Sequence, residues 1–385
     1  MDTSSRALPF PVYGFTWNFH RYWVNTDLES EPVVPAMVST WKDYLRPLGV
    51  SVFKFNLPVE NYRLGALDEA ERANNQALIA RLINLCRFAE SRSCRLLPVL
   101  LGAGHYRPGK ETELPAKAAT VLNDFLRALQ AKGWLHLYER ICSFAVENEM
   151  THPTRHLLWP QKKALQLVTE TCAGLKKIEA EYAVPQPVPL TVTCAFDWLL
   201  AVNIVRRPVA SVRTLVTGQL YDCTDDPFLY AIATSPLVDI IGIDYFPTTW
   251  ARYPVETLPL LLKQVCERFG LGTRWGKRTL VAETGYTQPL MPLHREENQL
   301  RYYKRALELV LDFYRQSGQE QGFLGLLWYC LSDTKLAPNT MPFPGELRYG
   351  VLATMPPNNY PTYPARPKPA WQFLHEAAQD RRGTP

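Results

Sequence analysis

Apolar residues along this chain fall into two rhythms. Short continuous runs recur as VYGFTW (12–17), VSVFKFNL (50–57), RLLPVLLG (95–102), ICSFAVEN (141–148), PLTVTCAF (189–196), VDIIGIDYF (238–246), TLVAET (279–284) and GLLWYCL (325–331). They are rich in Val, Ile, Leu and aromatic residues, and most are bounded by Gly, Pro or Asn, which predicts strands buried on both faces. Between them lie longer stretches at 74–92, 118–133, 161–182, 256–270 and 297–318, with apolar residues at i, i+3, i+4 and i+7. That period predicts helices with one face on a core.

Strand and helix in regular alternation predict an α/β fold, a (β/α)8 TIM barrel, as a single catalytic domain over 1–385. The runs are spaced by roughly 40 to 50 residues against about 30 per unit in a minimal barrel, so the surplus is assigned to long βα loops. Pro-rich segments at 31–35, 184–189 and 337–345 fit such loops, because Pro ends helices and stiffens connections. A last helix near 368–380 is expected to close the barrel. The alternative, an open sheet in two domains, needs a linker of altered composition, and none divides the chain near its middle.

Composition narrows the chemistry. A 46% hydrophobic content over 385 residues is enough for a large core. The formal charge of +5 is small for this length, and basic pairs such as Arg206–Arg207 and Lys176–Lys177 form no stripe, so no nucleic-acid partner is expected. No run of about 18 apolar residues occurs, so no membrane association is expected either. MDTSSRALPFPVYGF lacks the basic and then apolar pattern of an export signal, and the expected location is cytoplasmic, although a removed signal would leave no trace. The eight cysteines form no CxxC pair, and the seven histidines show no HxH or HExxH spacing. The only dense acidic patch, Asp222, Asp225 and Asp226, has no strand-end partner nearby. No GxGxxG or phosphate loop follows the first strand, so neither a metal nor a cofactor is expected. The composition does not address oligomeric state.

In barrels, chemistry gathers at the carboxyl ends of the strands. Glu283 follows the apolar TLVA and precedes Gly285, which places it at the end of strand 7. Asn148 and Glu149 fall at the end of strand 4, close to three repeats of the unit earlier. Strands 4 and 7 lie across the mouth from one another, so two carboxylates can flank one bond, as glycoside hydrolysis requires. Glu147 shares the strand parity of Glu149 and is a second candidate for the acid; Glu149 is preferred as the terminal residue beside Asn148.

Asn–Glu after strand 4 with Glu after strand 7 resembles the clan A retaining glycoside hydrolases, which include cellulases, mannanases, galactanases and β-galactosidases. GIDYFP together with AETGY looks most like the endo-galactanases and some mannanases. The resemblance implies cleavage of a β-linked glycoside, oligosaccharide or polysaccharide by double displacement, with a carbohydrate substrate, Glu149 as general acid and base and Glu283 as nucleophile. It further implies that Asn148 bonds the sugar 2-hydroxyl, that Tyr245 orients the nucleophile, that Trp328 floors the sugar site and that His105 and Tyr106 stand beside the sugar.

Two positions depart from that pattern. Lys54 stands near the end of strand 2 where many members carry Arg; it supplies positive charge but no bidentate fork, and pairing with a structural acid is an equal alternative. Ile243 replaces a His found in several families. Asp244 is expected to make structural hydrogen bonds behind the site. Trp17, His20, Trp198 and Trp250 follow strands and are open between lining sugar subsites and packing in loops. A transglycosidase with the same two acids, or an inactive carbohydrate-binding barrel, remains open on sequence alone.

Overall fold

The computed structural model describes residues 10–17, 21–101, 111–147, 161–195, 223–246, 254–286, 296–333, 350–353 and 363–380. All eight apolar runs contain parallel strands: β1 (Val12–Thr16), β2 (Val52–Asn56), β3 (Arg95–Leu101), β4 (Phe144–Glu147), β5 (Leu190–Ala195), β6 (Ile240–Tyr245), β7 (Arg278–Thr284) and β8 (Phe323–Trp328). Each pairs with its sequence neighbour, and β8 returns to β1 with Gly14 opposite Leu327, closing the barrel. The closed ring leaves no strand edge unpaired.

Side-chain alternation divides the apolar residues into two shells. Val52, Leu97, Val99, Ala145, Ile240, Leu280, Ala282 and Leu327 fill the barrel interior. The opposite faces of the strands, including Phe15, Phe53, Val192, Ile241, Ile243 and Val281, join the buried faces of the helices. Because both strand faces are apolar, each run reads as continuous rather than alternating.

The helices begin and end where local chemistry dictates. α1 (Pro35–Thr40) opens on Pro and continues as irregular turns to Leu48. α2 (Glu69–Ser91) starts from a reciprocal capping box between Asp68 and Glu71. α3 (Leu114–Lys132) stops at Gly133, whose φ of 70° is left-handed. α4 (Gln161–Glu181) precedes β5, and α5 (Pro227–Thr234) precedes β6. Asp226 caps α5 by accepting from the amides of Phe228 and Leu229 at 2.9 and 3.1 Å, while Asp225 pairs with Arg268. Two of the three residues in the acidic patch are therefore structural. α6 (Thr257–Phe269) and α7 (Glu296–Phe313) cover the later strands. α8 (Pro369–Asp380), the expected last helix, packs beside α7, and Trp371 Nε1 donates to the Tyr44 carbonyl at 3.0 Å.

Among the described residues no group of three His, Cys, Asp or Glu is arranged to hold a metal ion. No described helix is long and apolar enough to cross a membrane.

Closure of the ring depends on close backbone approach at β1. A Cβ on Gly14 would stand 1.7 Å from the Val52 carbonyl oxygen, which is backbone and has no rotamer to move to. Gly14→Ala is expected to destabilise the fold by on the order of 3 kcal/mol, as overpacking against fixed atoms does, seen as a lower melting temperature by circular dichroism. An unchanged melting temperature would show that β1 can shift without loosening the barrel.

Candidate active site

At the carboxyl end of the barrel the register between β6 and β7 slips. Ile243 pairs with Val281, but Asp244 pairs with Glu283, so one residue, Ala282, is passed over. Such a bulge re-aims the side chains beyond it. Without it, alternation from Leu280 and Ala282 would turn Glu283 out into the helix layer. With it, Glu283 shares the inner face with Asp244, and Thr284 turns outward, where its hydroxyl donates to the Tyr245 carbonyl at 2.8 Å and meets the Tyr302 hydroxyl of α7 at 2.5 Å.

Three strands converge on the Glu283 carboxylate. Lys54 from β2 is fully buried, and its Nζ lies 2.7 Å from Glu283 Oε1 and 3.9 Å from Asp244 Oδ1. The same ammonium donates to the Ala282 carbonyl at 3.4 Å, and Thr16 of β1 donates to Glu283 Oε1 at 3.4 Å. The Lys54 side chain has no exposure, whereas that of Glu283 keeps 7%, so the carboxylate is the member of the pair that solvent or a ligand can reach. A buried ion pair persists only where the geometry is close and further hydrogen bonds satisfy its remaining valences. Here the bulged carbonyl and the Thr16 hydroxyl contribute to that. Burial first, then the negative charge of Asp333 and, more weakly, that of Glu283, push the Cys330 thiol upward and keep it neutral.

Two expected sugar contacts lie elsewhere. Tyr245 follows Asp244 by one residue and so points out of the barrel; it is buried, shares a hydrogen bond with the Thr257 hydroxyl of α6, and donates to the Pro254 carbonyl at 3.4 Å. Trp328 follows the inward Leu327 and also points out. It has no exposed surface, stacks on Tyr303 of α7 at 4.4 Å between centroids, and donates from Nε1 to the Tyr13 hydroxyl at 3.4 Å. Strand parity thus removes both from the mouth. Trp17 is likewise core, edge-on to Phe53 at 5.4 Å.

The same parity brings in residues that sequence patterning passed over. Tyr329, one position beyond Trp328, and Phe246, one beyond Tyr245, pack edge to face at 5.7 Å in a small apolar group separate from both core shells. Counting alternation from the inward Leu327 and Asp244 would have found them. Asp244 also takes its place beside Lys54 rather than behind the site. Glu147 ends β4 with no exposed surface, and its carbonyl accepts from Thr193 Oγ1 at 3.2 Å. Glu149, Asn148, His105, Tyr106, His20, Trp198 and Trp250 lie outside the described residues.

No family model and no curated protein matches the chain. Solved structures do match it. The AHE enzyme from Alicyclobacillus herbarius superposes with a TM-score of 0.61 at 12% identity, covering 100% of each chain. The GH1 β-glucosidase from Exiguobacterium antarcticum B7 gives 0.59 at 12% identity, covering 98% of this chain and 99% of the other. A β-glucosidase from Thermotoga maritima in complex with galacto-hydroximolactam gives 0.57 at 12% identity, covering 89% and 86%. What these proteins share with the chain at that identity is the (β/α)8 fold, over most or all of its length.

With Trp328 between β8, β1 and α7, Trp328→Phe removes packing and leaves the mouth intact. The expected loss is about 2 kcal/mol of stability, within the range for shrinking a buried aromatic. Thermal melting reads that loss, and titration of any ligand of the mouth should show unchanged affinity; weakened binding at a temperature where the variant is folded would place the indole at the site after all.

Proposed function

We propose that the chain is a clan A retaining glycoside hydrolase that cleaves a β-linked glycoside, with Glu283 as nucleophile and Glu149 as general acid and base. The observation that carries this reading is the bulge-positioned Glu283, accessible at the carboxyl end of β7 and paired at 2.7 Å with a buried Lys54. A carboxylate so paired is charge-compensated and aimed, as an attacking group must be. The fold shared with named β-glucosidases supports the same reaction class.

In the first step a Glu283 oxygen bonds to the anomeric carbon as the bond to the leaving oxygen breaks, and the leaving oxygen takes the proton of Glu149. In the second, Glu149, now a carboxylate, takes a proton from water; the water oxygen bonds to the anomeric carbon and the Glu283 ester bond breaks. The two inversions retain configuration. Glu149 is preferred to Glu147 because an acid must reach the leaving oxygen, and Glu147 has no exposed surface. Asn148 is assigned to the sugar 2-hydroxyl, and His105 and Tyr106 to other hydroxyls. The aromatic surface for the sugar ring is reassigned from Trp328 to Tyr329, since the C–H face of a pyranose packs on a flat ring.

Aryl β-glucosides, β-galactosides and β-mannosides, with β-1,4-linked galactan and mannan, make the first test. The wild-type chain should release product from at least one, with the β-anomer first by NMR, and an inverted first product would remove the assignment. Glu283→Gln should lower kcat by on the order of a thousandfold or more, as loss of an attacking group does; activity within about tenfold of wild type would take Glu283 out of the mechanism. Glu149→Ala should spare substrates with good leaving groups and regain turnover with azide, and equal loss on all leaving groups without rescue would contradict its role.

A further inference from the structure

Asp244 sits beside the Lys54–Glu283 pair on the inner face of the barrel. It is fully buried, directly opposite Glu283 in the β6–β7 register, on the same inner face, with Oδ1 3.9 Å from the ammonium that Glu283 holds at 2.7 Å. One ammonium therefore serves two carboxylates, at unequal distance, inside a barrel. We propose that Asp244 is a positioning residue for Glu283 acting through Lys54, the counter-charge that keeps the ammonium balanced while Glu283 carries the sugar. This rests on Glu283 being the nucleophile.

When a Glu283 oxygen forms its bond to the anomeric carbon and the leaving group departs with the proton of the general acid, Glu283 changes from carboxylate to neutral ester. Lys54 then loses its nearest counter-ion with no surface exposed to water. A buried ammonium without a partner is strongly disfavoured. Asp244 remains ionised through that interval, so the group passes from one excess negative charge to neutrality, never to a lone positive charge beside an oxocarbenium-like carbon. Lys suits this better than a planar guanidinium clamped on one carboxylate, because its ammonium is a compact charge with three donors that can turn between two acceptors.

The arrangement has a signature in pH that a packing role lacks. Lys54 and Asp244 set opposite charges beside the Glu283 carboxylate. Among the described residues Cys330 beyond β8, held neutral by burial, feels the charge of Glu283 together with those of Asp333 and Lys368, and β1 contributes the uncharged Thr16. Removing the negative charge of Asp244 therefore eases ionisation of Glu283, and removing Lys54 hinders it.

The experiment compares the acid limb of kcat/KM, which reports the ionisation of the free enzyme's base, for wild type, Asp244→Asn, Lys54→Met and the double variant on an activated aryl β-glycoside. Asp244→Asn, nearly isosteric, should move the limb to lower pH by on the order of one unit, and Lys54→Met should move it to higher pH. On a substrate limited by hydrolysis of the ester, kcat of Asp244→Asn should fall by about tenfold, a modest share of the catalysis that fixed charges supply. The double variant should place the limb below that of Lys54→Met, which keeps the test decisive if Asp244→Asn alone does not fold. An Asp244→Asn limb that stays in place or moves up, or equal limbs for Lys54→Met and the double variant, overturns the proposal, while loss of turnover in Glu283→Gln upholds the reading of Glu283. A wild-type chain that cleaves none of the glycosides overturns that reading, and this proposal with it.

Discussion

A charge buried in an apolar barrel is the constraint on which the mouth of this molecule depends. Lys54 has no exposed surface, so its ammonium must be met by counter-charge, and among the described residues Glu283 and Asp244, on the inner face of neighbouring strand ends, supply it. Asp244 arrives there by simple alternation along β6. Glu283 does not, because alternation along β7 would send it outward; the bulge at Ala282 brings it in. Backbone irregularity and ion pair thus require one another. The bulge without Lys54 would bury a carboxylate against a second one, and Lys54 without the bulge would lose the nearer of the two carboxylates described beside it.

That local exchange also organises the layer outside. Moving Glu283 inward turns Thr284 out, where it bonds the Tyr245 carbonyl and the Tyr302 hydroxyl and so ties β6 and β7 to α7. The large aromatics at the strand ends serve the same outer layer, with Tyr245 bonded to the start of α6 and Trp328 stacked on Tyr303. The mouth is left with a small aromatic pair, Phe246 and Tyr329.

The barrel itself was legible in the chain because each strand is buried on both faces and so appears as an uninterrupted apolar run bounded by Gly, Pro or Asn. Glu283 and Lys54 were legible as charges inside such runs, where only a compensating partner makes burial tolerable. Tyr245 and Trp328 were misplaced because a run that is apolar throughout conceals which residues face inward, and resemblance to a motif does not fix parity. One residue further along, in Phe246 and Tyr329, the correct face was available by counting from Asp244 and Leu327. The bulge had no separate mark in TLVAET, since it follows from what Glu283 must pair with and not from a Gly or Pro in the strand. Asp226, conspicuous in an acidic patch, is a helix cap, a role its position just before Pro227 already suggested.

We propose that Glu283 is the group that takes the sugar, and a covalent trap tests it directly. A 2-deoxy-2-fluoro β-glycoside with a good leaving group, chosen to match whichever sugar the chain cleaves, slows both steps and the second more, so the ester accumulates. Peptide mapping by mass spectrometry should then find one sugar per chain, attached at Glu283, with loss of activity in step with labelling. A label on Glu147 or Glu149, or time-dependent hydrolysis with no covalent adduct, would contradict the account.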